Sequence, residues 1–177
     1  MASNLLAICF DFGDTLADEA TEVKDQTATT LYAELIPGAE SLIRELKRRA
    51  YHLALIADGQ PGTYLNVLSY YNLYDLFDAV AISELVGVTK PDPRLFKAAL
   101  DQLGITSKDY YRCAMVGNHL ARDIKGANNL GMISIWIDWA PRRPKIPADQ
   151  TEVPQYTIQK PLDLLDLLPL LEKRLAS

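Results

Sequence analysis

A doubly wound α/β domain, three layers (α/β/α) around a central parallel sheet of about five strands, is what this 177-residue sequence predicts, on two observations. Short, near-continuously apolar runs alternate with amphipathic segments almost from end to end, and polar or glycine-containing stretches follow the runs directly. Strands covered by helices on both faces read as unbroken apolar runs. Strict alternation of strand and helix implies parallel pairing through crossovers.

The elements justify this in order. The run "LLAICF" (5–10) is the first strand and opens into "DFGDTL" (11–16). About twenty residues of weak periodicity follow (17–36), a length more often functional than idle in a compact domain. They have room for a small hairpin or short helix, a flap or minimal cap, and not for a separate cap domain. "PGAESLIRELKRRA" (37–50) reads as a helix with Ala39, Leu42, Ile43, Leu46 and Ala50 on one stripe. Glu40 sits early in it and Arg48 and Arg49 late, which suits the helix dipole. "LALIA" (53–57) is the second strand, and Tyr64, Tyr70, Tyr71 and Tyr74 after it read as a helix stripe facing its own core rather than as the lining of an interface. "AVAIS" (79–83) is the third strand. "DPRLFKAALDQLG" (92–104) is a helix that turns Leu95, Phe96, Ala99, Leu100 and Leu103 inward and stops at Gly104. "CAMVG" (113–117), the helix "ARDIKGANNLG" (121–131) and "ISIWI" (133–137) continue the pattern. "APRRPKIPADQTEVP" (140–154) reads as a surface loop with Arg142, Arg143 and Lys145 solvated. The last helix, "PLDLLDLLPLLEKRLA" (161–176), is expected to bend or break at Pro169.

Length and composition fit one domain spanning 1–177, with 49% hydrophobic and 23% charged residues and no internal repeat. A net charge of -5 argues against a nucleic-acid surface but not against a small anionic ligand at a locally positive site. Cys9 and Cys113 both lie in apolar runs and read as buried reduced thiols, as a cytoplasmic location would keep them. No apolar run is long enough to span a bilayer.

In an open parallel sheet, ligands bind beyond the carboxyl ends of the strands. The polar residues after each run are therefore the candidates: Asp11, Gly13, Asp14 and Thr15; then Asp58, Gly59 and Gln60; then Lys90; then Asn118 and Asp123. Taken together they place carboxylates, an amide and a lysine on one rim. Carboxylate and carbonyl oxygens are magnesium ligands, and a lysine holds an anion. A carboxylate attacking a phosphate needs such compensating positive charge. An aspartate nucleophile would then form an aspartyl-phosphate that water cleaves.

On these residues the chain resembles the haloacid dehalogenase (HAD) superfamily of hydrolases over nearly its whole length. The first family motif, a strand followed by D-x-D-x-T, is met by "FDFGDTL"; the second, a strand ending in Ser or Thr, by "LALIADG". The third, a lysine, is met by "GVTKPDPRLF"; the fourth, an acidic pair after a strand, by "MVGNHLARDIKGANNLGM". The resemblance implies a Rossmann-like fold with the first strand central and the fourth beside it, which brings Cys9 and Cys113 into neighbouring strands. It implies Mg2+ held by Asp11, the Gly13 carbonyl, Asn118 and Asp123. Asp11 is then the nucleophile, with Lys90 holding it to the phosphate; Thr15, Ala57, Asp58 and Gly59 lie in the phosphate-binding positions.

Three positions depart from the family pattern. Gly13 stands where the family's phosphatases carry the Asp that protonates the leaving alcohol, and Asp14 comes one position late. Ala57 replaces a hydroxyl that binds phosphate, and Asn118 replaces an Asp. The expected activity is therefore a phosphomonoesterase, slow unless the leaving group is already stable as an anion, acting on a phosphorylated small molecule or a larger phosphorylated substrate. Capless members of the family accept large substrates or use a neighbouring subunit as lid, which leaves a homo-oligomer open. The competing reading is a non-catalytic or regulatory protein that binds phosphate or a partner. A receiver domain is disfavoured because no acidic pair follows the first strand, and dehalogenation because it usually goes with a large cap.

Overall fold

The computed structural model describes residues 4–176. In chain order the strands and helices are β1 (Ala7–Phe10), β2 (Val23–Lys24), β3 (Thr30–Tyr32), α1 (Ala39–Arg48), β4 (Leu53–Ala57), α2 (Pro61–Tyr70), β5 (Ala79–Ile82) and α3 (Ser83–Val86). They continue with α4 (Pro93–Gln102), β6 (Cys113–Gly117), α5 (Lys125–Asn129), β7 (Ile133–Ile137), β8 (Tyr156–Ile158) and α6 (Asp163–Leu175). The main sheet has six strands in the order β5-β4-β1-β6-β7-β8, and its pairings are parallel.

Alternate residues of each strand serve two different cores. Ile8, Phe10, Leu53, Leu55, Val116 and Ile135 pack with the apolar stripes of α1, α2 and α6. Ala7, Cys9, Ala54, Ala81, Cys113 and Met115 face α4 and α5, where small strand residues leave room for Leu95, Phe96 and Leu100. Both faces are thus covered, which is why the strands read as unbroken apolar runs. β1 lies between β4 and β6, with Ile8 opposite both Leu53 and Ala114. The two cysteines fall in neighbouring strands, buried and free, and burial pushes the Cys113 thiol up to about 12.

Four details differ from the sequence reading. The sheet has a sixth strand: β8 is only "YTI", with Ile158 alone buried, too short and polar an edge to register as an apolar run. Pro169 lies inside an unbroken α6, whose buried Leu164, Leu168 and Leu171 hold both halves on the core. Ala50 leaves the apolar stripe because α1 closes at Arg48 and Ala50 adopts φ 61 in the turn beyond it. Tyr64 is buried as expected, but Tyr70 is exposed and stacks edge-on against Tyr32 and Tyr71.

The weakly periodic segment after β1 folds as a turn of 3-10 helix (Glu19–Thr21) and the antiparallel hairpin β2–β3. Thr30 of the hairpin is buried and donates its N–H to Thr63 of α2, and Thr29 bonds Gln60. The hairpin is thereby fixed over the carboxyl ends of β1 and β4. Among the described residues no helix is long and apolar enough to cross a membrane.

Candidate active site

The carboxyl ends of β1, β4 and β6 open into a cavity of about 410 Å³. Asp11 follows β1 directly. Its Oδ1 accepts from Lys90 Nζ at 2.6 Å, and its Oδ2 accepts from the Thr15 hydroxyl at 3.1 Å. The Lys90 ammonium, 2% exposed, also lies 2.8 Å from Asp123 Oδ1 and donates to the carbonyl of Ile56 at 3.0 Å. Burial alone would depress its pKa; the charges of Asp11, Asp123 and Asp58 outweigh burial and hold it well above the ordinary lysine value. Lys90 is therefore a fixed cation.

Asp123 sits on the single turn of π-helix (Leu120–Ile124) that precedes α5, where the sequence suggests one continuous helix. Its Oδ2 accepts from the His119 N–H at 2.9 Å. Burial, and then the Asp11 charge, raise its carboxyl to about 6 against the pull of Lys90. Gly117 leaves the space that Asp123 fills: a Cβ there would stand 2.5 Å from Asp123 Oδ2. Asn118 donates its Nδ2 to the Gly13 carbonyl at 2.9 Å, and its own carbonyl is fixed by the Trp136 indole N–H at 3.0 Å.

The donors at this end are two carboxylates, a backbone carbonyl and an amide, all hard oxygen ligands once Asn118 offers its Oδ1. Among the described residues no three His, Cys, Asp or Glu converge as a cluster that would hold a metal alone. Hard oxygen donors of this kind are what magnesium takes, with several waters completing its shell. Charge agrees: Asp11 and Asp123 share one buried lysine, and Asp58 lies between that lysine and Arg122, so the carboxylates at the Lys90 end outnumber the buried cation and suit a dication. The residues present fit the ion.

The second-motif residues stand differently from one another. Asp58 turns its carboxylate toward Lys90, accepting the Lys90 N–H at 2.9 Å, and its Oδ2 lies 3.6 Å from Arg122. Gly59 lines the cavity, but its N–H donates to Ser83 Oγ at 2.8 Å. Ala57 and Thr15 do not line the cavity; both are buried, Ala57 in the core and Thr15 behind Asp11.

The loop after β1 holds what the sequence did not disclose. Asp14, fully buried at φ 55, reverses the chain, and Ala17 bridges both Gly13 and Leu35. Residue 19 therefore returns beside residue 13. Arg142 and Arg143, expected to be solvated, instead reach back to this loop, because a buried carboxylate must find cations. Arg142 Nε bonds Asp14 Oδ2 at 2.8 Å, and Arg143 Nε bonds the same oxygen at 3.2 Å. Arg142 also pairs with Asp18 at 3.1 Å, and Arg143 pairs with Glu19. Lys145 pairs with Asp138 beside the Trp136 ring. Burial, then Asp14, raise the Glu19 carboxyl, with Arg143 opposing. His119 lines the cavity too, and burial, then Arg122 and Arg143, lower its pKa below the usual imidazole value.

Comparison with known proteins matches residues 26–131 to the model of haloacid dehalogenase-like hydrolases. A glyceraldehyde 3-phosphate phosphatase of Pyrococcus furiosus is 32% identical over 137 residues, covering 77% of this chain and 55% of that protein. A phosphoserine phosphatase of Thermus thermophilus is 38% identical over 104 residues, 59% of this chain and 41% of that one. The chain spans about half the length of these curated relatives. The crystal structure of a HAD phosphatase from Thermococcus onnurineus superposes with a TM-score of 0.66 at 26% identity, covering 77% of this chain and 59% of that one.

Proposed function

Because the chain belongs to the haloacid dehalogenase-like hydrolases, we propose that it is a magnesium-dependent phosphomonoesterase with Asp11 as nucleophile. The observation that carries this reading is the buried Asp11–Lys90–Asp123 set, joined at 2.6 and 2.8 Å on one rim of the cavity. Asp11 Oδ attacks the phosphorus of a monoester, and the bond to the leaving oxygen breaks. Water then attacks the aspartyl-phosphate and releases phosphate, regenerating the carboxylate. Lys90 orients the Asp11 carboxylate and offsets phosphate charge, and Thr15 fixes the other Asp11 oxygen. Asp11, the Gly13 carbonyl, Asn118 and Asp123 would hold the magnesium, which supplies further positive charge against the phosphate oxygens. Asp58 and Gly59 close the phosphate side of the cavity.

The hairpin acts as the minimal cap, with Glu22, Lys24 and Thr30 on the cavity wall. A cavity of this size suits a phosphorylated small molecule, and the two phosphatases above are named for substrates of that kind. The free, buried thiols are compatible with a cytoplasmic location.

One observation favours a second reading, in which the chain binds phosphate without turning it over. Ala57 offers no hydroxyl and the Gly59 N–H is already spent on Ser83, so the phosphate cradle is thin. Phosphate release from para-nitrophenyl phosphate, measured with and without magnesium, separates the two. Release that requires magnesium and disappears in Asp11→Asn is expected. No release at high concentration of folded protein would transfer the assignment to the binding reading.

A further inference from the structure

Position 13 has no side chain, yet the space beside it is filled. A Cβ built on Gly13 would stand 2.8 Å from both Cγ and Cδ of Glu19, and closer still to Glu19 Oε1. The backbone at Gly13 is not in the left-handed region, so what a larger residue there would meet is the Glu19 side chain. We propose that Glu19 supplies, from the 3-10 turn, the carboxyl group that residue 13 lacks, and serves as the acid and base on the leaving-group side of Asp11. The inference rests on the hydrolase reading above and extends it to a residue six positions further along the chain.

Three features bring the group there and hold it. The chain reverses at Asp14, and the Gly13–Ala17 and Ala17–Leu35 bridges set the returning strand beside Gly13. The Glu19 N–H donates to Asp14 Oδ1 at 3.3 Å, and Asp18 caps the turn by accepting from the Ala20 N–H at 2.9 Å. Arg143 then grips Glu19 Oε2 while also bonding Asp14, so Asp14, Arg143 and Glu19 form a chain of charged contacts. Among the described residues Oε1 takes no protein hydrogen bond, and it is the oxygen over Gly13. Glu19 lines the same cavity as Asp11, Lys90 and Asp123. Asp14 is thus a positioning residue.

The proton balance closes. As Asp11 Oδ bonds phosphorus and the ester P–O bond breaks, the protonated Glu19 carboxyl gives its proton to the departing alkoxide. In the second half, water gives a proton to the Glu19 carboxylate as its oxygen bonds phosphorus and the Asp11 Oδ–P bond breaks. The products are an alcohol and inorganic phosphate, and both carboxyl groups return to their starting forms.

A missing acid hurts esters of poor leaving groups most, because an alkoxide needs a proton and a nitrophenolate does not. The test is kcat/KM of the full chain with magnesium on ethyl phosphate and on para-nitrophenyl phosphate. Glu19→Gln is expected to lose roughly 10²–10⁴-fold on the ethyl ester and much less on the aryl ester. Gly13→Asp added to Glu19→Ala, which clears the space, is expected to recover turnover of the ethyl ester. Equal loss on both esters, no loss in a folded Glu19→Gln, or no recovery in a folded double variant would each overturn the proposal. Wild-type protein inactive on both esters would overturn the hydrolase reading itself, and this inference with it.

Discussion

Lys90 brings one positive charge into a site with three carboxylates, Asp11, Asp123 and Asp58. These carboxylates have largely left water, and Lys90, with Arg122 3.6 Å from Asp58, compensates them only in part, so folding keeps electrostatic repulsion at the rim. A bound dication would relieve it. Magnesium is therefore expected to raise the Tm of the folded chain, by about 1.4 kcal/mol of stability when free ion is ten times its Kd. Asp123→Asn removes one ligand charge and is expected to reduce that increment. Scanning calorimetry across a magnesium series measures both, and a magnesium-insensitive Tm would refute the ion site independently of any activity. The same residue scale explains why Asp14 is not a misplaced acid. It is fully buried and already bonded to Arg142 and Arg143, so it faces the protein and not a substrate.

At the scale of elements, two segments far apart in sequence are joined through that one carboxylate. Arg142 and Asp14 are 128 positions apart, and their contact ties the loop after β7 to the loop after β1. Asp14→Asn keeps a residue that tolerates φ 55 but removes the charge on which both arginines converge. With charge-assisted hydrogen bonds at about 1.5–3 kcal/mol each, the loop is expected to open at least tenfold more often, since about 1.4 kcal/mol is a factor of ten. Faster tryptic cleavage after Arg142 or Lys145, at unchanged global Tm, is the expected outcome. Unchanged cleavage would show that the arginines do not tether the loop. This link also marks where sequence reading stopped. The apolar runs pointed to five of the six sheet strands, and the polar residues beyond them to Asp11, Lys90, Asn118 and Asp123, which the structure brings to one cavity, because strand burial and rim position follow from local pattern. Glu19 lies in a segment with no periodicity, and Arg142 and Arg143 look like any charged residues of a Pro-rich loop. Only the chain reversal at Asp14 brings them together, and no spacing rule reports it.

Across the whole molecule, the layer formed by α4 and α5 presses on the side of the sheet that carries Cys9, Cys113 and Met115. Those strand positions are small or flexible, so the closeness of the layer is set by the helices themselves. Gly126 in α5 meets the Phe96 ring of α4, whose Cε1 would be 3.2 Å from a Cβ at that position and whose Cζ and Cε2 would be nearer. Phe96 is fully buried and has nowhere to turn. Gly126 is the second residue after the π-helical turn that carries Asp123, so the depth of this packing also bears on where that carboxylate stands relative to Lys90. Gly126→Ala gains helix propensity but must push α5 outward or rotate the ring. Overpacking of this kind costs about 1–3 kcal/mol, more than the roughly 1 kcal/mol that alanine contributes over glycine in a helix. A lower Tm, by roughly 2–4 °C per net kcal/mol lost at this chain length, is expected together with a reduced magnesium increment, because Asp123 moves with α5. A Tm equal to or above that of the wild type would show that the α4–α5 contact has slack, and that the position of Asp123 is set by the β6 end alone.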